Sequence, residues 1–206
     1  MRALLEFLTW FVHDFLLLFA MVNAVGNLPV FASLTSAMAP ADRLRAYRTA
    51  VVTGASIVVV FALLGDWLLR SVFQVGVEEF KVAGGILVFF VAARGMVLGP
   101  LRALPPATKD PEHVGVFPMG FPFLAGPGTI VTTILLMQGE GGLRTALVAI
   151  LVYLTVLPVM HLAPVMEWAV GRMGTLVVSR VLYVFICAKA VSFFLTGLRQ
   201  VWARPA

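Results

Sequence analysis

Two stretches bring amides, hydroxyls, glycines and prolines into an otherwise apolar chain: NAVGNLPVF at 23–31 and AGPGTIVTT at 125–133. Asparagine and glycine form helices poorly, and proline removes a backbone donor. In lipid, each unsatisfied backbone N–H or C=O costs on the order of several kcal/mol. A helix broken there must hand its freed groups to other protein, to polar side chains or to a water-filled cavity. The chemistry that a break offers is therefore recognition. Free N–H groups at the start of the following half-helix suit a carboxylate, and free carbonyls at the end of the preceding half suit an ammonium. Two facing breaks would hold a small zwitterion with no charged side chain, and neither stretch contains one.

On this logic the candidate substrate-binding residues are Asn23, Gly26, Asn27 and Pro29 in the first stretch, and Gly126, Pro127, Gly128 and Thr129 in the second. Asn23 and Asn27 can donate and accept at once; the alternative role for both is to tie helices together. Thr129 is placed to cap the following half-helix. Pro118 and Pro122 lie just upstream and extend the second break. Gly84 and Gly85 lack side chains, so they read as a packing surface for a broken helix.

Ionisable groups at membrane depth are expensive and point to function. Asp14 and Lys189 fall inside apolar segments. Their predicted role is a structural or gating ion pair, with a coupling role for Asp14 as a further option; the alternative is that both side chains snorkel to the headgroups. No catalytic constellation stands out: there is no GxSxG serine, no HExxH and no pair of membrane aspartates. AGPGT lacks the Lys-Ser/Thr of a phosphate loop. The expectation is a protein that is not an enzyme, with no metal and no cofactor, though coupling to H+ or Na+ is open. The lone Cys187 rules out an intramolecular disulfide.

The elements that carry these residues follow from composition. Of 206 residues, 61% are hydrophobic and only 12% charged, about half the charge of a soluble domain. Mean hydropathy is +1.00. Apolar runs near the length of about 20 residues needed to cross a bilayer recur along the chain. The pattern predicts an all-α polytopic membrane protein, one membrane domain over residues 1–206, with six segments near 7–38, 49–72, 80–98, 114–137, 143–165 and 175–198. The N-terminal run is too long for a signal peptide and holds Asp14, so it counts as the first segment. The net charge of +5 does not imply nucleic acid, because the basic residues fall mostly between apolar runs; they anchor and orient the chain at the lipid surface. Arg43, Arg45 and Arg48 make the densest basic loop, which places that loop inside and both termini outside.

Segments one and four share the Gly/Pro interruptions, and each opens a set of three segments. Three crossings per set give the two sets opposite orientation, the arrangement of transporters built from inverted repeats. The predicted repeats are 7–100 and 114–200, with helices one and four discontinuous.

At these residues the chain resembles the MarC-related family (UPF0056), which includes small neutral amino acid transporters. The likeness lies in LFAMVNAVGNLPVF, in KVAGGILVFFVAARGM and in FPMGFPFLAGPGTIVTT, with a fainter match in SRVLYVFICAKAVSFFLTGL. Asn23, Gly26 and Pro29, then Gly84 and Gly85, then Pro118, Pro122, Gly126, Pro127 and Gly128 match the family's motifs. Ala24 stands where the family usually has proline, Arg94 and Gly95 depart from its apolar or acidic character, and Lys189 sits where it is usually apolar. The resemblance implies a multi-pass inner-membrane protein that transports glycine- or alanine-like amino acids by alternating access. A channel or exporter for another small neutral solute, or a non-transporting assembly protein, is the alternative. Substrate identity, transport direction and oligomeric state are left open by the residues.

Overall fold

The computed structural model describes residues 2–98, 110–161 and 163–203. The chain begins with α1 (Arg2–Val22) and α2 (Ala24–Leu34), separated by a single residue, Asn23. Asn23 has φ 51°, a left-handed conformation that asparagine tolerates better than other residues with a side chain. Hydrogen bonds run up to and away from it: its N–H donates to Phe19 O at 3.2 Å, and Asn27 N–H donates to Asn23 O at 3.1 Å. The expected interruption across 23–31 is thus confined to one residue, and one apolar span runs through it from Thr9 to Leu28. Gly26, Asn27 and Pro29 all lie inside α2. The interruption is the one left-handed residue, Asn23, and the helix breakers Gly26, Asn27 and Pro29 do not themselves break α2.

α3 (Pro40–Trp67) starts at Pro40, where a missing N–H costs nothing, and carries Asp42 in its first turn, where the helix dipole favours an anion. It runs on through one π-helical turn, Leu68–Val72. α4 (Val77–Leu98) follows. Residues 99–109 lie outside the described residues.

The short α5 (Pro111–Val114) is capped by Asp110, whose Oδ1 accepts from Glu112 N–H at 3.2 Å. The next ten residues, Gly115–Leu124, do not continue it as a regular helix. Phe117 (φ −134°, ψ 123°) and Phe121 (φ −131°, ψ 132°) are both extended, as the residue before a proline prefers. α6 (Pro127–Glu140) opens behind Gly126 with Pro127 in its first turn, and ends at Gly141 with φ 85°. Together Pro111–Leu124 and Pro127–Glu140 are bent by 59°. α7 (Gly142–His161) and α8 (Ala163–Trp202) complete the chain, and α8 kinks at Gly171, where φ is 71°.

Among the described residues, five helical spans are long and apolar enough to cross a membrane, and six are if the bent pair counts as one. Their outward faces carry Val60, Leu63, Phe90, Leu154 and Phe185, all exposed, as a lipid-facing surface requires. Small residues set the close approaches inside. A Cβ on Gly54 would lie 2.7 Å from the Tyr153 ring, which brings α3 against α7. A Cβ on Gly85 would lie 2.7 Å from Phe194 N and 2.8 Å from Ala190 O, so α4 meets the α8 backbone itself. Gly84 faces the other way, with a Cβ 2.6 Å from Val131 of α6. The predicted packing residues therefore seat α4 between α6 and α8.

Candidate functional site

The two interruptions meet at a cavity of about 230 Å3. Asn23 and Asn27 line it from the first, and Pro122, Phe123, Gly126, Pro127, Gly128 and Thr129 from the second. The sequence-predicted residues are not all in the wall. Gly26 lies beneath it: a Cβ there would collide with the Asn23 amide, so Gly26 makes room for that side chain. Pro118 is absent from the wall. Pro29 belongs to α2, and its side chain lies outside the described residues.

The freed backbone groups of the second interruption are largely satisfied by side chains. Tyr153 OH donates to Leu124 O at 2.8 Å, and Asn27 Nδ2 donates to Phe123 O at 3.4 Å. Thr129 Oγ1 lies 3.2 Å from Met21 O and 3.3 Å from Leu124 O, so its one proton bridges both interruptions. At the start of α6 the first intrahelical bond is Ile130 N–H to Gly126 O, 3.0 Å. Gly128 and Thr129 precede it, and their N–H groups have no acceptor within the helix.

Across the cavity, Asn23 is 7% exposed and its Oδ1 has no hydrogen-bond partner. The cavity wall therefore carries backbone donors at a helix N-terminus and the Asn23 amide, whose Oδ1 is without a partner. Gly128 leaves that space open: a Cβ on it would make only ordinary contact with Val88 at 3.5 Å. Gly126 is different, because a Cβ there would lie 2.5 Å from Pro122 O.

The predicted pairing of Asp14 with Lys189 is not present. Asp14 is 4% exposed and its carboxylate meets His13 Nδ1 at 2.8 Å. Lys189 Nζ lies over the Phe193 ring, 5.2 Å from its centroid. The reason is the packing of the helices: α1 lies mainly against α6 and α7 and barely touches α8. Two further walls escaped the sequence reading. α4 supplies Val88, Ala92 and Gly95, and α8 supplies Tyr183 and Ile186. Apolar residues in apolar helices carry no signal of their own. Tyr183 did carry one, as the lone phenol in the sixth segment, and Gly95 seats its ring, with a Cβ 2.6 Å from Tyr183 Cζ.

The model of the MarC family of integral membrane proteins matches residues 8–202. The chain is 32% identical over 198 residues to the UPF0056 membrane protein YhcE of Escherichia coli, covering 91% of each chain. It is 31% identical over 204 residues to a UPF0056 membrane protein of Archaeoglobus fulgidus, covering 94% of each. It is 28% identical over 207 residues to the UPF0056 membrane protein YvbG of Bacillus subtilis, covering 94% of this chain and 96% of the relative. No solved structure matches.

Proposed function

We propose that the chain, which belongs to the MarC family of integral membrane proteins, is a secondary transporter of small neutral amino acids that works by alternating access around the central cavity. The observation that carries this reading is the meeting of two helix interruptions at one cavity whose polar groups are backbone donors and a free amide. Size supports it as well. An apolar cavity of about 150 Å3 takes up benzene, and alanine has as many non-hydrogen atoms as benzene. A cavity of about 230 Å3 therefore accommodates glycine or alanine with room to spare.

Helix pairing supports two inverted halves. α1 packs on α6, α3 on α7 and α4 on α8, the pairs that a two-fold axis in the membrane plane would bring together. In this reading the protein sits in the inner membrane with both termini outside, it performs no chemical reaction, and a proton or sodium gradient drives it. Donors at the α6 start take the carboxylate, and Asn23 Oδ1 takes the ammonium.

The test uses the full chain in proteoliposomes with labelled glycine, alanine and serine, with and without a proton or sodium gradient. Saturable uptake with counterflow is expected; counterflow also separates a carrier from a channel. A folded preparation that moves none of the three in either direction overturns the reading.

A further inference from the structure

A second cavity, of about 290 Å3, lies beside the first along the same four helices. α8 lines the central cavity with Tyr183 and Ile186, and the second with Lys189, Ser192 and Thr196. α6 gives Gly128 and Thr129 to the first, and Thr132 to the second. The second cavity is thus displaced by about two helical turns, toward the end of the molecule where Lys81 Nζ donates to Gln200 Oε1 at 2.9 Å. That is the end where α4 begins and α8 finishes. The apolar cluster that contains Val88, Val131 and Ala190 stands between the two spaces.

The charge of this cavity is one-sided. Lys81 and Lys189 both line it, and no carboxylate does. Lys189 stands midway along the Leu176–Trp202 span, where an ammonium is costly and points to a function. Thr132 adds an independent observation. It is fully buried, its hydroxyl has no hydrogen-bond partner, and it lines the same space. A buried hydroxyl left without a partner is a cost that a ligand would remove.

We propose that the cavity lined by Lys81, Lys189 and Thr132 is an outer subsite for the carboxylate of an amino acid on its way to the central cavity. The two ammonium groups draw the carboxylate in, and the Thr132 hydroxyl donates to it. The solute then moves about two turns deeper, where the α6 N–H groups take over the carboxylate and Asn23 takes the ammonium. This inference rests on the transporter reading, but its test is separate from uptake.

In a Cys187→Ser background, Ser192→Cys places a reporter thiol in the subsite of the full chain, reconstituted in phosphatidylcholine vesicles. Two methanethiosulfonates are compared, one carrying a sulfonate and one a trimethylammonium, each normalised to its rate with free cysteine. The sulfonate reagent is expected to react about tenfold faster or more, as electrostatic steering allows. The ratio should fall toward unity in Lys81→Gln/Lys189→Gln and be largely kept in Lys189→Arg. Alanine should slow the sulfonate reagent, and alaninamide, which lacks the carboxylate, should not. An unchanged charge ratio in the double variant overturns the subsite even where uptake is intact. Equal protection by alaninamide overturns the assignment to a carboxylate. Suppression by phosphatidylglycerol in the vesicles, with no effect of alanine, assigns the lysines to a lipid headgroup and also overturns it. Failed uptake with charge selection and alanine protection intact counts against the transporter reading and not against the subsite.

Discussion

The two interruptions reach the same cavity by unlike means. The first uses one residue, Asn23, and keeps hydrogen bonds on both sides of it. The second uses the irregular stretch Gly115–Leu124 and a bend of 59°, and depends on Tyr153, Asn27 and Thr129 to satisfy its carbonyls. The first leaves Asn23 Oδ1 without a partner, whereas the second borrows Tyr153 of α7 and Asn27 of α2, beside its own Thr129, to satisfy its carbonyls. The difference teaches that a one-residue break leaves an unpaired group on its own side chain, and a long one leaves unpaired N–H groups at the start of the next helix.

The largest expected effect tests the open side of the second interruption. Gly128→Leu should reduce uptake to background while the protein still inserts and elutes as a single species. Gly128 has room for a Cβ, so only the longer leucine side chain obstructs the cavity. Gly128→Ala should retain measurable transport, and an inactive alanine variant would mean that the glycine serves backbone geometry instead.

Gly126→Ala breaks the other half of that comparison. Its Cβ would lie 2.5 Å from Pro122 O, a backbone atom, so the bend itself must shift. The expected loss is about 1–3 kcal/mol of stability, read as a lowered denaturation midpoint in detergent. At the first interruption the corresponding change is milder. Asn23→Ala forces a left-handed alanine and should cost about 1–2 kcal/mol, while Asn23→Gly relieves the backbone. Both remove the free amide oxygen, so both should impair uptake. A stable and fully active Asn23→Gly would show that the first interruption serves shape alone.

How much of this was legible follows from what each residue signals. Hydropathy located the spans because a bilayer imposes length and apolarity on every crossing. Proline density located the second interruption, since Phe-Pro at 117–118 and 121–122 forces extended backbone in two places. The same logic overreached at Gly26 and Pro29, which α2 absorbs. It saw in Asn23 a side chain that binds, and did not foresee the left-handed residue that separates α1 from α2. Asp14 and Lys189 were joined by charge and depth alone, and sequence does not record which helix faces which.

The smallest effect concerns the atom where the interruptions touch. Leu124 O accepts from Tyr153 OH at 2.8 Å and lies 3.3 Å from Thr129 Oγ1, while Met21 O competes for the Thr129 proton at 3.2 Å. Either Tyr153→Phe or Thr129→Val should cost about 0.5–1.5 kcal/mol, and Thr129→Ser should be close to neutral. The double variant separates two arrangements. If the Thr129 proton turns to Leu124 O when Tyr153 is lost, each single change is buffered, and the pair together costs more than the sum by at least about 0.5 kcal/mol. If the proton belongs to Met21 O, the two changes add. A strictly additive cycle therefore makes Thr129 the tie between the interruptions, because its hydroxyl would hold the last turn of α1 to the first turn of α6. A coupled cycle confines Thr129 to the second interruption, and the first then stands on Asn23 alone.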